Sequence, residues 1–287
     1  MSSEIPRLNG AIRALEQGKP AFATFAPAET GAAQAIGAAP YDGVVFEMEH
    51  GPYGNRLLRD CLQHMLDRRQ IVQSGSPPPA VTPMVRIPPN GGEMNQFLAK
   101  QVLDSGVYGV AWPHVSTVEE ARNAVSACRY PRPPGAPRLE PAGQRGDAPA
   151  AAARYWGLTQ QEYYARADVW PLDPAGEIVV GIMVEEVKAI RNLPRMLREA
   201  PGIGVVIVGE GDLSQELGIP RQYGNPTLLS AIAELLAICR EHDVVCGHPH
   251  VDATNVEALL EQGFRWLMPS PVTSSPGLER GRAASGR

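Results

Sequence analysis

Short apolar runs alternate with longer amphipathic stretches along most of the chain. Residues 21–26, 43–49, 82–87, 109–113, 178–185, 205–209, 244–246 and 266–269 read as strands, each a compact apolar block rather than an alternating one. Between them lie helical periodicities. Leu57, Leu58, Cys61, Leu62, Met65 and Leu66 mark a helix over 55–68, and a second runs through Phe97, Val102 and Leu103. Residues 117–128 form a third helix, opened by the capping box Thr117-Val118-Glu119-Glu120. A helix over 188–197 is expected to break near Pro194. Asn225-Pro226 starts a long helix through Leu228, Ile232, Leu235 and Cys239, and 255–262 is a helix closed by Gly263.

Eight strands alternating with helices predict an all-parallel sheet, and strands apolar on both faces fit one covered on both sides. The α/β fold this implies is a (β/α)8 TIM barrel spanning 1–287 as one domain; such barrels take about 250 residues. The rival, an open doubly wound sheet, would want a Gly-rich phosphate loop after its first strand. Pro27-Ala28-Glu29-Thr30-Gly31 stands there instead. Two segments leave the pattern. Residues 131–153, with six prolines, predict a mobile excursion, and the Gly/Ser/Arg-rich tail 274–287 a flexible end or one laid on a neighbouring subunit.

Composition narrows the function. Apolar content of 44% and charged content of 20% are globular values, and a net charge of -5 disfavours a nucleic-acid groove or an anionic membrane surface. No run approaches the ~20 apolar residues of a membrane span, and residues 1–9 lack the pattern of a secretion signal. Cys61, Cys128, Cys239 and Cys246 show no CxxC, as expected for reduced thiols in a cytoplasmic protein.

The candidate chemistry sits at strand ends. Glu47, Glu49 and His50 end the second strand, Arg86 the third, His114 the fourth and Glu185 the fifth, with Asp212 just after the sixth. In a barrel these ends converge on one mouth. Glu185 and Asp212 come from adjacent strands. Two carboxylates brought together need a proton or a cation between them, and a hard divalent ion such as Mg²⁺ or Mn²⁺ suits oxygen ligands. No Cys/His spacing favours zinc. From the residues alone, a salt-bridge network with Arg86 stays open as the alternative. The turn Gly209-Glu210-Gly211-Asp212-Leu213-Ser214 offers amides that could cradle a carboxylate or phosphate. Cys246-Gly247-His248-Pro249-His250 admits a metal, a substrate-contacting or a plain loop reading. Arg154-Tyr155-Trp156-Gly157 and Tyr163-Tyr164 read as packing for a subsidiary helix, with a lid over the mouth as the alternative.

The ordered set Glu47-x-Glu49-His50-x-Pro52, Val85-Arg86-x-Pro88, Leu103-Asp104-x-Gly106, Arg129-Tyr130-Pro131, Val184-Glu185 and Gly209-x-x-Asp212-Leu213-Ser214 resembles the HpcH/HpaI aldolase family, macrophomate synthase-like proteins included, from about residue 8 to 270. The resemblance implies a class II aldolase, a carbon–carbon lyase that joins pyruvate to an aldehyde or cleaves 4-hydroxy-2-oxoacids, with oxaloacetate decarboxylation as a side activity. It implies that Glu185 and Asp212 hold Mg²⁺, Mn²⁺ or Co²⁺. Arg86 contacts the keto oxygen, and the amides of Gly211 and Asp212 take the pyruvate carboxylate. His114 lies on the substrate side. His50 shuttles the proton, with Asp104 orienting it from elsewhere in a trimer or hexamer. Four departures stand out: Glu47 replaces the family's usual Asp, Met183 its frequent Gln, and both the stretch between Arg86 and Asp104 and the Pro131 to Pro141 insertion are longer. A malyl- or citramalyl-CoA-type lyase and a non-catalytic barrel serving as a binding or assembly protein are the alternatives.

Overall fold

In the computed structural model, which describes residues 5–88, 94, 96–269 and 275–287, the apolar runs become strands of one closed ring. In chain order the elements are α1 (Gly10–Glu16), β1 (Ala21–Pro27), α2 (Thr30–Gly37), β2 (Gly43–Glu47), α3 (Asn55–His64), α4 (Arg68–Ser74), β3 (Thr82–Arg86), α5 (Gln96–Ser105), β4 (Gly109–Trp112), α6 (Val118–Ala127), α7 (Ala150–Trp156), α8 (Gln160–Arg166), β5 (Val169–Trp170), β6 (Ile178–Val184), α9 (Val187–Glu199), β7 (Val205–Val208), α10 (Glu210–Glu216), α11 (Pro226–Glu241), β8 (Val245–Val251), α12 (Val256–Gln262), β9 (Trp266–Pro269) and α13 (Pro276–Ala284). The sheet runs β4-β3-β2-β1-β9-β8-β7-β6 and closes through β4–β6, every pairing parallel. This is the (β/α)8 barrel. The two-residue β5 pairs only with the start of β6 and stands outside the ring.

Two apolar layers hold it. An outer core lies between strands and helices, and β6 is buried at every position because both of its faces are covered. An inner core fills the ring, and Ala11, Ile12 and Ala14 of α1 join it. Helix α1 is tied to the N-terminal strand ends. Glu177 accepts the amides of Leu8 (3.0 Å) and Asn9 (2.9 Å), and Thr82 Oγ1 accepts that of Gly10 (2.7 Å). The floor is thereby closed, leaving the C-terminal mouth as the opening.

Three expectations need correcting. The tail carries helix α13: Ser275 Oγ accepts Leu278 N (3.0 Å), Pro276 sits at the first helical position, and Leu278 is buried. Arg287 then pairs with Asp42 (2.5 Å), whose carboxylate also accepts Phe22 N (2.8 Å), so the tail is anchored within its own chain. Its first residue, Ser274, lies outside the described residues. The excursion is pinned where it was expected to move. Buried Arg129 bonds Asp168 (2.7 Å) and the carbonyls of Pro141 (2.6 Å) and Arg138 (2.7 Å). Helix α9 runs through Pro194 unbroken. Burying Ala189, Ile190, Leu193 and Met196 on one face outweighs a proline cost of about 3 kcal/mol.

The aromatic stretch packs rather than covers. Trp156 stacks on Tyr108 with centroids 4.2 Å apart and donates to Gly106 O (2.8 Å), at the N-terminal end of β4 and away from the mouth. Among the described residues no helix is long and apolar enough to cross a membrane.

Candidate active site

Every strand points its C-terminal end at the mouth, so the residues that follow β2, β3, β4, β6 and β7 meet there. Phe25, His50, Arg86, Glu185, Asp212 and His250 line a cavity there of about 390 Å³, within the range of small-molecule pockets.

Arg86 is the most tightly held. Glu47 Oε2 accepts its Nε (2.8 Å) and its Nη2, while Glu49 Oε2 lies 3.0 Å from Nη1. The guanidinium stacks over Phe25 at 4.7 Å from the ring centroid, and Met183 Sδ lies 3.6 Å from Nη1. Met183 is therefore a soft wall for Arg86. The other oxygen of Glu47 accepts the amides of Glu49 (2.8 Å) and His50 (3.1 Å). Glu47 shapes the turn and aims Arg86, and it does not line the cavity. Breaking such a half-buried pair leaves a charge without its partner, at about 3–5 kcal/mol when fully buried. Glu47→Gln is expected to lower the melting temperature and to weaken turnover at saturating substrate. Thermal unfolding and initial rates check it, and a variant matching wild type in both shows Arg86 is aimed by something else.

Glu185 is 3% exposed and sits just past β6. Its Oε2 accepts the His114 amide at 2.7 Å, a bond made available because His114 takes a left-handed backbone (φ 51°). Burial pushes the Glu185 carboxyl above its ordinary value. His114 opposes that rise, and Glu49 and Asp212 add to it by repulsion. His114, Glu185 and Asp212 each offer a ligand atom, and these atoms all lie within 4.8 Å of one another. A buried acid facing two further acids, with an imidazole beside it, fits a divalent cation. The sequence paired Glu185 with Asp212 and put His114 on the substrate side. The structure brings all three together.

His50 is exposed, its Nε2 3.6 Å from Glu49 Oε2. Glu49 is the residue the sequence named without giving it work. Burial raises its carboxyl, against the pull of Arg86 and His50, and its Oε2 makes no aligned hydrogen bond although Arg86 stands at ion-pair distance. Gly211 lines the cavity with open space around it. Asp104 is not brought to the mouth within one chain. It sits at the end of α5, bonded to the buried guanidinium of Arg145 (3.0 Å). Glu210, Arg221, Tyr223 and His250 also line the cavity without having been singled out as site residues. In the sequence, His250 showed only within the Cys246–His250 run and Glu210 only as a member of the turn that carries Asp212. Residues 89–93 and 95, in the longer stretch between Arg86 and Asp104, lie outside the described residues.

Comparison with known proteins agrees with this picture. The sequence model of the HpcH/HpaI aldolase/citrate lyase family matches residues 23–268. The 2-keto-3-deoxy-L-rhamnonate aldolase of Klebsiella pneumoniae is 31% identical over 228 residues, 79% of this chain and 73% of that protein. An HpcH/HpaI aldolase/citrate lyase family protein from Burkholderia cenocepacia superposes with a TM-score of 0.71 at 26% identity, over 88% of each chain. Macrophomate synthase superposes at 0.67 with 22% identity, over 100% of this chain and 89% of the other, and speaks to the fold alone.

Proposed function

Since the chain belongs to the HpcH/HpaI aldolase/citrate lyase family and is a class II aldolase, a carbon–carbon lyase, we propose that it joins pyruvate to an aldehyde and cleaves the resulting 4-hydroxy-2-oxoacid. The observation that supports this is the His114–Glu185–Asp212 cluster, of which Glu185 and Asp212 line one cavity together with Arg86. The relative named above acts on a 2-keto-3-deoxy acid, a substrate of this kind.

In cleavage the C4 hydroxyl gives up its proton, the C3–C4 bond breaks, and its electron pair moves onto the C2 carbonyl oxygen. An aldehyde leaves and an enolate of pyruvate remains, which takes a proton at C3. His114, Glu185 and Asp212 would hold the Mg²⁺, Mn²⁺ or Co²⁺ ion. Bound there, such an ion supplies Lewis-acid stabilisation of negative charge on the 2-oxoacid. Arg86, fixed by Glu47 and Glu49, adds a positive charge that does not deprotonate, beside the developing oxyanion. The amides of Gly211 and Asp212 orient the carboxylate. His50 takes the hydroxyl proton, positioned by Glu49 in its own chain and by Asp104 of a neighbouring copy in a trimer or hexamer. Loss of CO₂ from oxaloacetate gives the same enolate, so decarboxylation is a side activity.

Metal-dependent exchange of deuterium into the methyl group of pyruvate, with no coenzyme A present, tests the reading; absence of exchange from the folded protein at any metal concentration rejects it. His50→Ala is expected to slow aldol cleavage by about 10²–10⁴, the usual reach of general-base help, and to leave oxaloacetate decarboxylation nearly intact because no hydroxyl proton moves there. Equal losses in the two assays would take the proton step away from His50.

A further inference from the structure

Phe25 stands at the mouth without a part in the chemistry above. Three of the five phenylalanines, Phe22, Phe46 and Phe264, are fully buried. Phe25 is only partly buried, although it lies inside β1 between buried neighbours. The inward row of that strand runs Ala21, Ala23, Phe25, two small residues farther down the ring and then a large one at the level of the mouth. A side chain that only filled the barrel would be buried. This one opens onto the cavity of about 390 Å³ together with Met183, Met268 and Arg86.

The ring face of Phe25 carries Arg86, whose Cζ lies over it, 4.7 Å from the centroid. The Arg86 side chain is 11% exposed, so the contact is made largely out of water, where a cation–π pair is strongest. Glu47 (2.8 Å from Nε) and Glu49 (3.0 Å from Nη1) hold the guanidinium by its edge. A planar group held only by its edge still rocks about that edge. Hydrogen bonds cannot fix its faces, because every N–H lies in the plane. An aromatic face laid against one side supplies the missing restraint and keeps water off it. Positive charge fixed before the reaction meets the growing charge on the ketone oxygen with no cost of rearrangement.

We propose that Phe25 is a positioning residue for enolate formation. Its ring fixes the plane of the Arg86 guanidinium, so that Arg86 stabilises the pyruvate enolate more than it stabilises pyruvate. This rests on the aldolase reading and adds to it a residue that reaches the reacting atoms only through Arg86. Phe25 itself exchanges neither proton nor electron.

The test uses the Mn²⁺-loaded enzyme and two readouts. One is deuterium exchange into the pyruvate methyl group. The other is equilibrium binding of oxalate, a planar dianion with the shape and charge of the enolate. Phe25→Leu keeps an apolar side chain and removes the π face, whereas Phe25→Tyr keeps both. Phe25→Leu is expected to lower the maximal exchange rate and the oxalate affinity by about tenfold each, within the reach of a desolvated cation–π contact. The KM for pyruvate should stay within about threefold of wild type, and Phe25→Tyr should stay within about threefold in all three quantities. Because the ring acts through Arg86, its effect on oxalate affinity should vanish when Phe25→Leu is combined with Arg86→Met. A Phe25→Leu enzyme equal to wild type in exchange and oxalate binding overturns the proposal. So does a Tyr variant that loses as much as Leu, a loss confined to KM, or a Phe25 effect undiminished in the absence of Arg86. Arg86→Met with unchanged exchange also overturns it, by removing the role of the group that Phe25 positions. Wild type without any pyruvate exchange rejects the aldolase reading itself, and this inference with it.

Discussion

Glu185→Gln is expected to abolish metal-dependent exchange of the pyruvate methyl protons, a loss of about 10³-fold or more, while the barrel stays folded. Charge stabilisation by a bound ion is worth several kcal/mol, and each 1.36 kcal/mol is tenfold in rate. The amide keeps the shape of the side chain, and its oxygen can still accept the His114 amide that now lies 2.7 Å from Glu185. What it loses is the charge opposite Asp212. Burial raises the carboxyl of Glu185, so its ionised form is disfavoured in the folded, metal-free protein. The sign follows: at neutral pH the metal-free variant should be at least as stable as metal-free wild type, because the amide carries no buried charge. Saturating Mn²⁺ should then separate the two. An ion that binds only the native state at a hundred times its Kd adds about 2.7 kcal/mol, or roughly 5–10 °C for a chain of this size. Wild type should show that shift and the variant should not. Paired melts in chelator and in Mn²⁺, with exchange followed by NMR, decide it, and a variant with unchanged turnover places the ion elsewhere.

The barrel was readable because its signal is repeated. Eight apolar blocks, each too short for a buried helix and each followed by amphipathic periodicity, leave few arrangements that cover both faces of every strand. The misreadings were of segments whose order comes from distant contacts. Composition makes 131–153 look mobile, yet it is fastened by Arg129 to Asp168 and by Arg145 to Asp104 and Tyr163. The tail looks unfit for a helix, yet Ser275 caps it, Leu278 buries it and Arg287 reaches Asp42, 245 positions earlier in the chain. Local propensity carries no information about such partners.

The site divides along the same line. Acids and bases at strand ends could be gathered from sequence, since the topology alone sends them to one mouth. Their division of labour could not. Glu47 reads as a catalytic acid by position, but both of its oxygens are spent on backbone amides and Arg86. Asp104 is held by Arg145 on the outside of its own barrel. Glu210 and His250 are forty residues apart and meet only because β7 and β8 are neighbours. Which oxygen faces which nitrogen depends on side-chain rotamers, and these are set by the packing of the whole mouth.

Gly209→Ala is expected to reproduce the Glu185→Gln phenotype without touching a charged group. Gly209 has an ordinary backbone (φ -101°), so conformational freedom is not why glycine stands there. Space is the reason. A Cβ at 209 would lie 2.0 Å from Glu185 Cγ and 2.5 Å from its Oε1, closer than non-bonded atoms approach. Glu185 would have to withdraw from the His114 amide and from the side of Asp212, or the ends of β6 and β7 would have to part. Overpacking of this kind costs about 1–3 kcal/mol. Thermal unfolding should therefore register a modest loss of stability, and the larger effect should be on function: no Mn²⁺-induced stabilisation, and exchange reduced on the scale of the charge-removing variant. Gly211→Ala is the control. Nothing lies within 4 Å of a Cβ there, so stability and the Mn²⁺ shift should match wild type although the residue lines the same cavity. If Gly209→Ala keeps the full metal shift and full exchange, Glu185 need not sit where the structure holds it for the ion to bind, and the three-ligand cluster is the wrong site.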